Sequence, residues 1–437
     1  MLRLVFSRNS LICMVLGFTS GLPFFVLISL IPIWLRTNGV DLKTIGFLSA
    51  LSLPYSLKFL WAPLCDGFFV QRFGRRKTWM LGTQMLLMIA VAAMAFFDPV
   101  RDLSIVAAIS FCIAVFSATQ DIAIDAYRRE LLSDQELGFG TSVHVNFYRV
   151  AQLVPGSLAL ILADLGGWSV SYLVTAAFLL PGIAMSCLIR EPQRFKCSSG
   201  FRAAVTEPFR EFVGRKGVGG SLLFLLFLFA YKLGDSMATA LISPFYADMG
   251  FTTTQIGTTA KFVGLSSSVC GAFLGGILMI RIGINRALWF FGFVQIITIL
   301  GFALLTGYRG NVGMLAFAVF GEYLGVGLGT ACFIAFIARA TNPAFTATQF
   351  ALFSAVTALP RVVFSSVTGI MAETLGWFTF FCVCYCMAIP GMLLLLKVAP
   401  FGADGDSRIS ESDAGERGTA SQTASESERD GGQVRQS

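Results

Sequence analysis

The stretch LSIVAAISFCIAVFSATQDIAIDAYRRELL, Leu103 to Leu132, opens as a long apolar run and closes on charges. About twenty apolar residues at 1.5 Å each suffice for a helix to cross hydrocarbon, and this run has that length. Asp121 and Asp125 nevertheless sit near its end. A charge facing lipid near the bilayer centre costs roughly 2.5–3.5 kcal/mol or more, so both carboxylates must face protein or water.

The rest of the chain repeats the pattern. It is 55% hydrophobic and 13% charged, with a mean hydropathy of +0.74. That is too apolar for a soluble protein and too often broken by polar junctions for one continuous core. Apolar runs fall near 11–35, 45–65, 78–97, 103–125, 139–163, 168–190, 219–247, 253–280, 287–306, 312–338, 345–370 and 376–399, giving twelve expected spans. In hydrocarbon every backbone donor and acceptor must pair within its own segment, and the alternation of a barrel strand is absent, so the fold class is all-α. The first span shows no small-residue cleavage site and is expected to be a retained helix.

Lysine and arginine orient the bundle. One side carries 18: Arg3, Arg8, the Arg72–Lys77 group, Arg128, Arg129, seven from Arg190 to Lys216, Arg281, Arg286 and Arg339. The other carries 4: Arg36, Lys43, Arg101 and Arg309. The bias places both termini in the cytoplasm, and the net charge of +7 is then a topology signal that needs no nucleic acid. Nine of the ten cysteines lie in or beside apolar spans and behave as small hydrophobes. Cys382, Cys384 and Cys386 alternate, but residues two apart on a helix diverge, and no metal site is expected. No paired metal ligands, nucleophile elbow or phosphate-binding glycine loop points to an enzyme or a cofactor.

Residues 191–218 are polar and basic, with an amphipathic stretch from Phe201 to Val213, and read as a cytoplasmic linker between halves 1–190 and 219–400. The halves echo each other. DLKTIG at Asp41 matches TTTQIG at Thr252, and ADLGGW at Ala163 matches AETLGW at Ala372, with offsets of 211 and 209. Residues 401–437 are Ser-, Asp-, Glu-, Gly- and Arg-rich and are expected to form a disordered cytoplasmic tail.

Helical spacing organises the costly side chains. Asp121 and Asp125 are four apart, Lys232 and Asp235 three apart, and Tyr55 and Lys58 three apart, while Arg149, Lys261, Glu322 and Arg361 stand singly in spans. Such residues face a water-filled cavity or pair with one another. A desolvated carboxyl that gains and loses a proton as its surroundings change suits a reversible proton carrier, and Asp121, a turn deeper than Asp125 and beside Gln120, fits that role. Asp125 is placed to hold Arg128 or Arg129. His144, the only histidine, reads as a polar residue near the membrane surface. Pro23, Pro54, Pro155, Pro244 and Pro360 fall inside spans and predict kinks.

The loop DGFFVQRFGRRKTWML from Asp66 resembles the cytoplasmic loop signature of the major facilitator superfamily, an acidic residue followed by Arg-x-Gly-Arg-Arg, with an insertion ahead of Arg72, Gly74, Arg75 and Arg76. GFTSGLPFF from Gly17, DLKTIGFLS from Asp41, LKFLWAPLCD from Leu57, SATQDIAIDAY from Ser117, YKLGD from Tyr231, GGILMIR from Gly275 and ATQFALFSA from Ala347 are similar to AmpG-type muropeptide permeases. The resemblance runs from about residue 10 to residue 399 and includes the linker segment VTEPFREFVGR.

It implies a monomeric, twelve-helix, proton-coupled importer of anhydro-muropeptides in the bacterial inner membrane, serving peptidoglycan recycling. Its partners are then a small-molecule substrate, protons and the lipid bilayer. The resemblance puts proton coupling on Asp121, with Asp125 beside it. Gln120, Lys58, Tyr231, Lys232, Asp235, Lys261 and Glu322 become cavity or binding residues, joined by Tyr55, Arg149 and Arg361. Asp66, Arg72, Arg75 and Arg76 form a cytoplasmic gate. The competing readings are a transporter of another large anionic solute, such as acetyl-coenzyme A, and a membrane sensor built on a transporter scaffold.

Overall fold

The computed structural model describes residues 7–40, 53–191, 201–252 and 255–401, and among them every regular element is a helix. The motif from Asp41 and the tail beyond Phe401 lie outside the described residues. The transmembrane helices are α1 (Arg8–Thr37), α2 (53–67), α3 (Arg75–Phe96), α4 (Leu103–Leu131), α5 (134–166), α6 (168–188), α7 (218–248), α8 (256–282), α9 (Ile284–Leu305), α10 (Val312–Ala340), α11 (346–375) and α12 (377–398). A separate linker helix, 201–216, precedes α7.

Local chemistry sets the boundaries. Ser7 caps α1, its hydroxyl accepting from the Ser10 amide at 3.1 Å, and Ser133 with Glu136 forms a capping box at α5. Gly167 and Gly376, at φ 81° and 74°, break otherwise continuous helices into α5/α6 and α11/α12. Only a residue without Cβ takes that conformation cheaply. Both stand before the Trp of the echoing ADLGGW and AETLGW motifs, so the repeated motif is the hairpin joining the last two helices of each half. Gly39 and Gly250, 211 positions apart, and Gly74 and Gly283, 209 apart, likewise take a positive φ. Of the predicted kinks, Pro155 lies in a π-turn, Val154–Leu158, and α1 passes through another at Val26–Leu30, just before Pro32.

Lipid tails are as apolar as leucine, so helices associate here by close packing more than by the hydrophobic effect. Large apolar side chains such as Ile89, Leu165 and Leu393 are exposed on the lipid-facing surface. Gly17 and Gly21 let α1 press on α5, because a Cβ at either would collide with the backbone carbonyl of His144 or Tyr148. Each half has its own core, one around Leu22, Trp34 and Tyr172 and one around Met237, Phe245 and Phe381. A third core spans both halves, packing Leu137, Phe139 and Val143 of α5 with Ala272, Phe333 and Phe336 of α8 and α10.

Candidate functional site

Between the halves lies a cavity of about 430 Å³, within the range of small-molecule sites. The first half lines it with Ser20 of α1, Asp121, Asp125 and Arg128 of α4, and His144, Tyr148 and Arg149 of α5. The second half contributes Lys232 of α7, Phe333 of α10, and Phe350, Ser354 and Thr357 of α11. The apolar run opening α4 carries the helix through the bilayer and delivers its polar last turns to this space.

Asp121 accepts a hydrogen bond from the Ser20 hydroxyl. Asp125 pairs with Arg128 at 3.0 Å, and the Arg128 guanidinium lies 5.8 Å from the Phe350 ring centroid across the interface. Arg149 donates to the Ser268 carbonyl at 3.1 Å and to the Ser268 hydroxyl, tying α5 to α8. Lys232 pairs with Asp235 at 3.3 Å and lies 5.9 Å from the Phe333 ring centroid. Lys58 is buried within electrostatic reach of Asp121, and the Tyr55 hydroxyl donates to Ser117 at 2.6 Å. The cavity thus has two carboxylates and Arg128 on the α4 wall, with the further cations Arg149 on α5 and Lys232 on α7 of the other half.

Of the expected binding residues, Tyr55, Lys58, Gln120, Tyr231, Asp235, Glu322 and Arg361 do not line this cavity. Gln120 is buried against α1, donating to the Thr19 carbonyl at 3.0 Å. Tyr231 stacks on Phe333 with centroids 4.7 Å apart, and its hydroxyl donates to the Leu288 carbonyl at 3.2 Å. Each satisfies a neighbouring backbone carbonyl, which is a packing role. Glu322 is 0% exposed, behind the cavity wall, and Arg361 is exposed. The side chain of Lys261 lies outside the described residues. His144 is also corrected: it is buried and lines the cavity instead of lying at the membrane surface. Helix packing at Gly17 draws α5 inward and takes His144 with it.

The Arg-rich end of the bundle is closed. Arg76, 0% exposed, pairs with Asp66 at 2.9 Å and Glu130 at 2.6 Å. Asp66 reaches across the halves and accepts from the Thr348 amide at 2.9 Å and its hydroxyl at 2.7 Å, capping the start of α11. Arg75 pairs with Glu130 at 2.9 Å and donates to the Ala344 carbonyl, also at 2.9 Å. The Arg76 amide donates to Glu191 at 2.7 Å. Arg72 is exposed. The linker helix docks on the same place, where Glu211 accepts from Asn342 at 2.9 Å and Gln349 at 2.6 Å.

A family model described as Major Facilitator Superfamily matches residues 13–365. The chain belongs to the major facilitator superfamily. An uncharacterized protein of Haemophilus influenzae is 46% identical over 91% of this chain and 96% of its own length. The anhydromuropeptide permease of Escherichia coli K12 is 40% identical over 90% of this chain and 80% of its own length, which bears out the AmpG-type resemblance. A bacterial homologue of the iron transporter ferroportin, solved in an outward-facing state, superposes with a TM-score of 0.67 at 14% identity over 90% of this chain and 99% of its own. That likeness concerns the fold alone.

Membership fixes twelve transmembrane helices in two six-helix halves, a multi-pass membrane transporter and no enzyme. The site also contains residues that sequence reasoning passed over: Ser20, Tyr148, Glu130, Glu191 and Thr348. Ser20 and Thr348 are small hydroxyls common in any membrane helix, so nothing in composition singles them out. Glu130 had a signal, a third charge beside Arg128 and Arg129.

Proposed function

We propose that the protein imports anhydro-muropeptides across the bacterial inner membrane together with protons, for cell-wall recycling. The observation that carries this reading is the cavity between the halves, lined by the α4 carboxylates together with Lys232 and Arg149, in a chain 40% identical to an anhydromuropeptide permease. Peptide carboxylates of the substrate suit the two cations through charge-assisted hydrogen bonds, while sugar hydroxyls and amides suit Ser20, Tyr148, Ser354 and Thr357.

Asp121 is the coupling group. It lines the cavity, it can hold a proton against the Ser20 hydroxyl, and it lies within reach of Lys58. Asp125 keeps Arg128 in place beside Phe350, so the substrate meets a fixed cation at the α11 wall. The Arg-rich end is the cytoplasmic gate, with both termini on that side, and Asp66 on the α11 N-terminus is its latch. The working unit is a monomer of two halves, 1–190 and 219–400, joined by the linker 191–218 and followed by the tail 401–437.

The test is uptake into proteoliposomes. Labelled anhydro-muropeptide is offered with and without an inward proton gradient, beside labelled acetyl-coenzyme A. Accumulation of the muropeptide only when the gradient is present is the expected result. Accumulation of acetyl-coenzyme A with none of the muropeptide would replace the substrate, and gradient-independent uptake would remove the coupling.

A further inference from the structure

Behind the cavity wall lie two carboxylates, Glu322 and Asp235, that the transport reading leaves without a task. Glu322 of α10 is 0% exposed. Among the described residues no lysine or arginine lies within 4 Å of it. Asp235 and Lys232 of α7 act on it through space, and Thr298 of α9 lies beside it. Tyr246, Tyr323 and Cys384 are the further titratable groups that act on it among the described residues. Arg149 reaches the group through Asp235, and Arg361 through Tyr323.

The Lys232 ammonium lies between this group and the substrate space. It lines the cavity, yet its ion-pair partner Asp235 lies outside the cavity lining, beside Tyr231 and Gln295 around a void of about 10 Å³, close to the space of one water. One oxygen of Asp235 bonds Lys232, and the other, Oδ1, is buried with no hydrogen-bond partner among the described residues. Glu322, with no cation beside it and neither carboxylate oxygen hydrogen-bonded among the described residues, is unfavourable as an anion by several kcal/mol, and a bound proton removes most of that cost.

We infer that Asp235 and Glu322 form a second proton-binding site, distinct from Asp121, whose occupancy is linked to substrate through Lys232. When a substrate carboxylate takes the ammonium, Asp235 loses its counter-charge next to Glu322. A proton from solution then adds to a carboxylate oxygen of the pair, forming an O–H bond and restoring the charge. Because the linkage is reciprocal, protons on the pair favour substrate on Lys232 to the same extent. This rests on the muropeptide reading for the identity of the ligand, but the proton site itself does not.

The experiment has two arms on the purified, full-length protein. In the first, infrared difference spectra of ligand-free protein compare wild type with Glu322→Gln, Asp235→Asn and Asp121→Asn. Loss of a protonated-carboxyl C=O band in Glu322→Gln or Asp235→Asn, with that band retained in Asp121→Asn, is the expected result; no loss in either variant overturns the proton site. In the second, proton uptake is read by a pH indicator in weakly buffered micelles on addition of anhydro-disaccharide-tripeptide or the peptide-free anhydro-disaccharide. Wild type should take up protons with the first ligand, and less than half as many should be taken up by Asp235→Asn and by Lys232→Gln. Uptake unchanged in both variants overturns the linkage. Absence of any binding by the peptide-bearing ligand counts against the muropeptide reading, and the infrared arm still decides the proton site.

Discussion

Asp66→Asn should open the Arg-rich end of the bundle by an amount the geometry sets. The Asp66–Arg76 pair lies within one half and survives opening, so its energy cancels between the closed and open states. Of the Asp66 contacts given above, the two bonds to Thr348, at 2.9 and 2.7 Å, cross between the halves. A hydrogen bond to a charged group is worth about 1.5–3 kcal/mol and a neutral one about 0.5–1.5 kcal/mol, so converting two of them costs about 2 kcal/mol. Removing the charge from the N-terminal turn of α11 adds about 0.3–1 kcal/mol. The total, about 2–3 kcal/mol, corresponds to a rise of roughly 30- to 150-fold in the open-to-closed ratio.

The readout is native. Cys65 is 0% exposed beneath the gate, packed among Ala62, Ile122, Ala126, Ala347 and Ala351. Its alkylation rate, followed peptide by peptide by mass spectrometry, tracks the open fraction while opening is a minor event. Asp66→Asn should raise that rate by one to two orders of magnitude and slow turnover, with little change in substrate affinity. A rate within threefold of wild type would refute the latch. Wild-type turnover with much weaker binding would mean that the loop shapes the site itself.

Glu211→Gln removes charge from the bonds holding Asn342 and Gln349, and should raise Cys65 labelling by a smaller factor; equal labelling in wild type and variant would mean the linker helix is not part of the closure. Asp121→Asn should abolish gradient-driven accumulation while substrate binding persists, and full accumulation in that variant would remove Asp121 from coupling. Arg149→Gln should weaken binding of a peptide-bearing muropeptide by about 10- to 150-fold, the equivalent of one charge-assisted hydrogen bond, with a smaller effect on the peptide-free sugar; equal losses would make the side chain structural. Gly21→Ala should cost about 1–3 kcal/mol by forcing α1 off the Tyr148 carbonyl, visible as a lower unfolding temperature, and an unchanged temperature would contradict the close approach.

The membrane fold was legible because a bilayer imposes length and pattern locally. Twenty apolar residues must be helical wherever they occur, and a glycine before tryptophan at Gly167 and Gly376 marks the same hairpin twice. Expensive residues were legible for the same reason: Asp121, Asp125, Arg149 and Lys232 stood out by cost alone, and the folded chain brings all four to one cavity. Asp66 could be read only as part of a gate, held either by backbone donors or by a basic residue at a neighbouring helix end, and the folded chain supplies both, Thr348 and Arg76.

What the sequence could not decide was direction around each helix. Gln120 and Asp121 are adjacent, yet one turns to the α1 backbone and the other to the cavity. Tyr231 and Lys232 divide in the same way, the ring into the core and the ammonium into open space. A 100° step per residue separates neighbours on a helix, and which side meets protein, void or lipid depends on where eleven other helices pack. His144 shows this most plainly. Its approach to the cavity depends on two glycines more than a hundred positions away in the chain, which let α1 and α5 touch backbone to backbone.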